Sequence, residues 1–154
     1  MKVIFLDVDG VLNCSSTRER FEGYIGVEQN KIALIKEIVD KTDAKIVLSS
    51  TWRLDFLWFN DGRSVKLDTF NYLKDELAKQ DLEIFDVTPS HNDGWRGREI
   101  KEWLDNHTEV ENYAVIDDDI YDIVLECKGH VVQTSWKTGL KPGAVKWVLQ
   151  ILNN

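Results

Sequence analysis

Cysteine, proline, histidine and methionine are all scarce in this 154-residue chain, at two, two, three and one residues. Cys14 and Cys127 could in principle pair, but a chain of this length has room for a core that needs no staple, so both are read as reduced thiols. The histidines, His91, His107 and His130, lack metal-ligand spacing and are read as incidental. With no repeats, low-complexity tracts or linkers, one compact domain over residues 1–154 is expected. No apolar run approaches the roughly 20 residues of a membrane span. The four apolar residues after Lys2 are too few for a signal-peptide core, so the expected setting is the cytoplasm, with no membrane partner. Basic residues are outnumbered, 19 Lys and Arg against 27 Asp and Glu, and the net charge of -8 argues against a broad nucleic-acid-binding surface.

What is present is an alternation of short apolar runs and helix-period patterns. Val3 to Leu6, Lys45 to Leu48, Glu83 to Val87, Tyr113 to Ile116 and His130 to Gln133 read as strands. Between them, Glu28 to Lys41 carries Ile32, Ile35, Ile38 and Val39 on one face, and Lys66 to Lys79 carries Phe70, Leu73 and Leu77 at helical spacing. Arg98 to Asn106 reads as a short helix with Ile100, Trp103 and Leu104 inward, and Pro142 suits the first turn of a last helix. Strands separated by helix-length segments imply parallel crossovers: a three-layer, Rossmann-like α/β sandwich around a mainly parallel five-stranded sheet. Two stretches are free to cover a site, Asn13 to Gly26 and the aromatic-rich Leu54 to Val65, and both are short.

The strand ends carry the chemistry. Asp7 and Asp9 flank Val8 where the first apolar run breaks at Gly10, the carboxyl end of a strand, which is where open α/β sheets place their sites. Two carboxylates this close repel each other in a dry site unless a cation or a shared proton separates them, and magnesium is the obvious remedy. The competing reading is an ordinary Asp-Gly turn with a surface carboxylate. Two further strand ends weigh against it: Lys45 to Leu48 stops at Ser49-Ser50-Thr51-Trp52-Arg53, and Tyr113 to Ile116 stops at Asp117-Asp118-Asp119.

This ordered set resembles the Mg-dependent branch of the haloacid dehalogenase-like (HAD) superfamily of phosphohydrolases, from Phe5 to about Leu140. Asp7-Val8-Asp9-Gly10-Val11 is similar to its first motif, Ser49 to its second, and Asp117-Asp118 to its acidic fourth. The basic third motif has no clear lysine; Arg96 or Arg98 is the substitute, with Arg96 preferred. Asp-Val-Asp-Gly-Val-Leu-Asn, Ser-Ser-Thr-Trp-Arg and a late Gly-Leu further resemble the small phosphatase domains associated with RNA-repair proteins.

The resemblance implies phosphomonoester hydrolysis through an aspartyl-phosphate, with Asp7 as nucleophile and Asp9 as acid and base. It implies Mg held by Asp7, the backbone carbonyl of Asp9, and Asp117 or Asp118, with Asp119 as turn. Ser49 and the basic partner would bind phosphoryl oxygens. Arg53, four residues after Ser49, is expected to grip phosphate with its fork of donors, and Lys137 is a further basic candidate. Near absence of a cap implies an open site for a bulky phosphoester or a phosphorylated nucleic-acid end. Trp103 and Trp147 are expected in the core, and Trp52, Trp58, Trp95 and Trp136 near the active edge, where packing down a loop competes with stacking on a base.

Two rivals remain at this level. A receiver-like signalling domain gathers similar groups but needs its phosphoacceptor on a middle strand, where this chain has Ser49 and Val87. A degenerate phosphate-binding member would lack Asp7 or Asp9, and both are present.

Overall fold

The computed structural model describes all residues, Met1–Asn154. The chain forms seven strands and six helices. β1 (Lys2–Leu6), β4 (Lys45–Leu48), β5 (Ile84–Val87), β6 (Asn112–Asp117) and β7 (Val131–Gln133) form one five-stranded sheet in the order β5-β4-β1-β6-β7. Every pairing in it is parallel. The helices are α1 (Gln29–Thr42), α2 (Leu54–Asn60), α3 (Asp68–Ala78), α4 (Arg96–Asp105), α5 (Ile123–Glu126) and α6 (Pro142–Asn153).

The period-two alternation of side chains sorts the central strands into two cores. Ile4 and Leu6 of β1 join Ile46, Leu48, Ala114 and Ile116, packed by α1, α3 and α6. Val3 and Phe5 point the other way, with Val47, Val115 and the Ile100 and Trp103 side chains of α4. The result is the three-layer, Rossmann-like sandwich expected from the sequence. β1 is buried on both faces and hydrogen-bonded on both edges, which is why it reads as a continuous apolar run.

Strand order places the site. The chain moves outward from β1 to β4 and β5, then crosses back to β6 on the opposite side of β1, so β1 lies at the topological switch point. Register does the rest. Leu6 is level with Leu48 of β4 and Ile116 of β6, so the next residues, Asp7, Ser49 and Asp117, emerge side by side at the carboxyl edge.

Of the aromatic-rich loop or short helix expected over Leu54 to Gly62, the structure has the helix, Leu54–Asn60, entered through a 3-10 turn at Thr51–Arg53. Two local features differ from the sequence expectation. Asn13 to Gly26 is not a plain loop: β2 (Arg20–Phe21) and β3 (Tyr24–Ile25) form a small antiparallel hairpin, turned at Glu22 and Gly23, both with positive φ. Two-residue strands are too short to show a period, so the pattern could not announce them. Trp147 is 54% exposed on α6 and not in the core, because Val145, Val148 and Leu152 form the buried stripe of that helix and Trp147 falls off it. No helix is long and apolar enough to cross a membrane.

Candidate active site

Asp7 and Asp117 are buried, continuing the ends of β1 and β6, and Asp118 is half-buried beside them. Carboxylate oxygens from these three residues lie within 4.8 Å of one another. One guanidinium answers them: Arg96 Nη1 is 2.6 Å from Asp117 Oδ2 and 3.3 Å from Asp7 Oδ1. Three acids against one base leave the cluster short of positive charge. Burial above all, then the neighbouring Asp117 charge, pushes Asp7 up to about 7, with Arg96 working in the opposite direction. Asp117 and Asp118 are also raised, chiefly by burial.

Arg96 stands at the first turn of α4, and that turn is fixed by α5. The Gly97 N–H donates to Asp122 Oδ2 at 2.7 Å, and a Cβ on Gly97 would lie 2.7 Å from the Asp122 carbonyl oxygen. Only a residue without a side chain lets the helix come this close and aim Arg96 at the acids. Arg98 points elsewhere, over the Trp95 ring, with an exposed side chain, and Lys137 sits in an exposed loop.

Asp9 is held apart from the acid cluster. Its Oδ1 accepts from Asn13 Nδ2 and its Oδ2 from Trp52 Nε1, each at 3.0 Å. Asn13 is buried and ties three things together: its amide also donates to the Gly26 carbonyl, and its Oδ1 accepts from the Gly10 N–H. The Asp9 carboxyl is thereby locked to the base of the hairpin. The Asp9 side chain does not belong to the three-carboxylate cluster, so only its backbone carbonyl is left as a metal-side donor. Neither the Asn13 clamp nor the Trp52 hydrogen bond was anticipated; the only sequence signal was their closeness to motif residues.

Gly10 turns the chain with φ +80°, and a Cβ there would stand 2.3 Å from Asp118 Oδ2. The glycine is thus required twice, for backbone conformation and for the space Asp118 fills. Gly10→Ala is expected to displace Asp118, so that a divalent cation at the three carboxylates binds more weakly by roughly tenfold or more, the scale of disturbed metal sites. A metal titration of the variant against the native protein checks it.

Ser49 is buried at the edge between the Asp7 and Thr88 strand ends, and its Oγ has no hydrogen-bond partner within the protein, nor does the Thr88 hydroxyl. Unpaired buried hydroxyls are costly, and polar ligand atoms are what such groups accept or donate to. Asp119 contributes its backbone N–H, which donates to Asp117 Oδ1 at 3.0 Å and holds that carboxylate in place.

Arg53 requires a correction. It is 2% exposed, and every donor of its guanidinium is used internally. Nε donates to the Thr88 carbonyl, Nη1 to the Ser49 and Ser50 carbonyls, and Nη2 to the Pro89 carbonyl and to Glu99 Oε2 at 2.8 Å. A guanidinium has five N–H groups, so none is free for a phosphate. Its position four residues after Ser49 does point to the right edge, but beneath it, where it clamps the ends of β4 and β5 to α4.

The family model described as the HAD domain in Swiss Army Knife RNA repair proteins matches residues 3–145. The chain belongs to this HAD family. No curated protein matches it significantly. Membership supports a phosphatase-type hydrolase in general terms, and the acid-lined carboxyl edge of this HAD domain is where such chemistry belongs. The oxygen-only donor set of Asp7, Asp117 and Asp118 suits a hard divalent cation such as Mg.

Proposed function

We propose that this HAD domain is a Mg-dependent phosphomonoesterase that works through an aspartyl-phosphate on Asp7 and accepts phosphorylated nucleic-acid ends. The observation that carries the reading is the division of labour between two aspartates two residues apart. Asp7 is buried among acids and Arg96, whereas Asp9 is held outside that cluster by Asn13 and Trp52.

Asp7, Asp117, Asp118 and the Asp9 carbonyl would hold the cation, which supplies charge neutralisation at the phosphoryl oxygens when bound. A carboxylate oxygen of Asp7 forms the new bond to phosphorus as the bond to the leaving oxygen breaks. The protonated Asp9 carboxyl gives its proton to that oxygen, so the alcohol departs neutral. Asp9, now a carboxylate, takes a proton from water as the water oxygen attacks phosphorus; inorganic phosphate leaves and Asp7 is regenerated. Arg96 keeps Asp7 and Asp117 oriented and offsets part of their charge, and the Ser49 hydroxyl is the internal donor for a phosphoryl oxygen.

The test is hydrolysis of phosphorylated sugars, nucleotides and 3'- and 5'-phosphorylated oligonucleotides with and without Mg, together with acid quenching to trap a protein-bound phosphate. Activity that survives chelation, or turnover with no phosphate on Asp7, overturns the mechanism. Asp117→Asn and Asp118→Asn are expected to raise the Mg requirement, with at least one partly rescued by added metal. Unchanged Mg dependence in both variants moves the ligand role elsewhere, with Asp119 next to be tested.

A further inference from the structure

Beside Asp9 opens a cavity of about 600 Å³, and none of the residues of the three-carboxylate cluster line it. Its walls are Trp52, Trp136 and the hairpin side chains Phe21, Tyr24 and Ile25. We propose that it is a leaving-group subsite for one nucleobase, that of the nucleotide carrying the scissile phosphate. This rests on the phosphatase reading and goes beyond it by naming the ring the enzyme grips and the residues that grip it.

Position fixes what the cavity receives. Asp9 lines it, and in the proposed reaction Asp9 protonates the oxygen that departs, so the group filling the cavity is the one attached to that oxygen. Trp52 joins the two roles, since its indole is a wall of the cavity while its Nε1–H holds Asp9 Oδ2 at 3.0 Å.

Composition fixes the chemistry. Aromatic faces bind planar rings by stacking. Tyr24 is 74% exposed and Trp136 is 40% exposed, a cost in exposed apolar surface that a bound ring would remove. The hydroxyl residues Thr51 and Thr69 also line the cavity, giving polar partners to a ring with a hydrogen-bonding edge. A nucleobase has such an edge, whereas the ring of a phosphotyrosine has none beyond its reacting oxygen. No lysine or arginine lines the cavity, so it takes one base and not further phosphates.

The subsite is preformed. Phe21 stacks on Tyr72 of α3 with centroids 4.4 Å apart, and Trp52 leans on the same ring at 6.1 Å. The Tyr72 hydroxyl accepts the Val27 N–H at 3.2 Å. The hairpin is therefore pinned to α3, and the main chain at Trp136 is tied by its carbonyl, which accepts the Ser15 N–H at 2.8 Å. Rigid aromatic walls bind without first having to be ordered.

The experiment compares 3'- and 5'-phosphorylated dinucleotides with counterparts in which only the phosphate-bearing residue is abasic. The expected result is a kcat/KM about tenfold or more higher with the base present, the scale of one stacked base, carried mainly by KM. That ratio is expected to collapse toward one in Trp136→Ala and in Tyr24→Ala. A ratio near one in the native protein, a ratio that neither substitution alters, or better hydrolysis of a phosphotyrosine peptide than of either dinucleotide overturns the subsite. These outcomes leave the phosphatase reading standing, because the abasic substrate is still hydrolysed. If no phosphomonoester is hydrolysed, the phosphatase reading fails by itself. Quenching of tryptophan fluorescence by the phosphorylated but not the abasic dinucleotide, lost in Trp136→Ala, still decides the subsite: its presence supports it and its absence overturns it.

Discussion

Asp7→Asn is expected to lower turnover by roughly a thousandfold or more, because the amide keeps the volume of the proposed nucleophile and removes its chemistry. The same variant melts several degrees higher than the native protein at about pH 8 when divalent metal is chelated. The reason is the crowding of buried acids. Asp7 is pushed up to about 7, first by burial and then by Asp117, despite Arg96. In the unfolded chain it titrates near 4, so the native state holds its proton more tightly, by about 4 kcal/mol if the shift is taken whole. The stability associated with that proton is fully present below about pH 4 and is lost as pH rises toward 7. Asparagine carries no charge at any pH, so the gap in melting temperature is widest above pH 7 and narrows toward pH 5. Saturating Mg is expected to stabilise the native protein and to close the gap from the other side. Melting curves across this range, with chelator and with Mg, check all three points. Equal melting temperatures at pH 8 without metal remove the buried-charge argument, and near-normal hydrolysis of an aryl phosphate removes Asp7 as nucleophile.

Arg53→Met is expected to cost about 3–5 kcal/mol, because it strands the Glu99 carboxylate and takes away the guanidinium donors of the Ser49, Thr88 and Pro89 carbonyls, while the Ser50 carbonyl keeps the backbone N–H of residue 53. For a chain of this size that is a fall of roughly 10 °C in melting temperature. The Glu99 side chain is 4% exposed and also accepts the His91 N–H at 2.7 Å, so it cannot turn to water to recover. Combining Arg53→Met with Glu99→Gln is expected to be less damaging than the sum of the two, since neither partner then leaves a bare charge. Denaturant titration of the four proteins gives the coupling directly. A stable Arg53→Met protein with a sharply raised KM for every phosphoester would return Arg53 to the phosphate-binding role.

These two arginines show where sequence reasoning reaches and where it stops. Arg53 lies four residues after Ser49 and Arg96 lies 21 residues before Asp117, yet both are arginines amid mixed polar and aromatic neighbours, and nothing local separates a clamp from a partner of the acids. Their fates are settled by what lies across the sheet edge: the carbonyls of Thr88 and Pro89 close around Arg53, while Gly97 packing on Asp122 turns Arg96 toward Asp7 and Asp117. The same limit applies to Trp52. Its nearness to Ser49 is plain in the chain, but its hydrogen bond to Asp9 spans 43 residues.

By itself, the sequence determined the five strands, the large helices between them and the carboxyl edge as the place where chemistry gathers. Apolar runs, helical periods and misplaced aspartates are local signals, each carried within a dozen residues or so. Tertiary structure alone decided that Leu6 is level with Leu48 and Ile116, which brings Asp7, Ser49 and Asp117 into one row. It alone turned a polar loop into a hairpin whose Phe21 docks on Tyr72, and so built an aromatic cavity beside Asp9. The physical reason is range: register, burial of a charge and the closing of a cavity are set by residues dozens of positions apart, whose meeting depends on how the whole sheet and its helices pack.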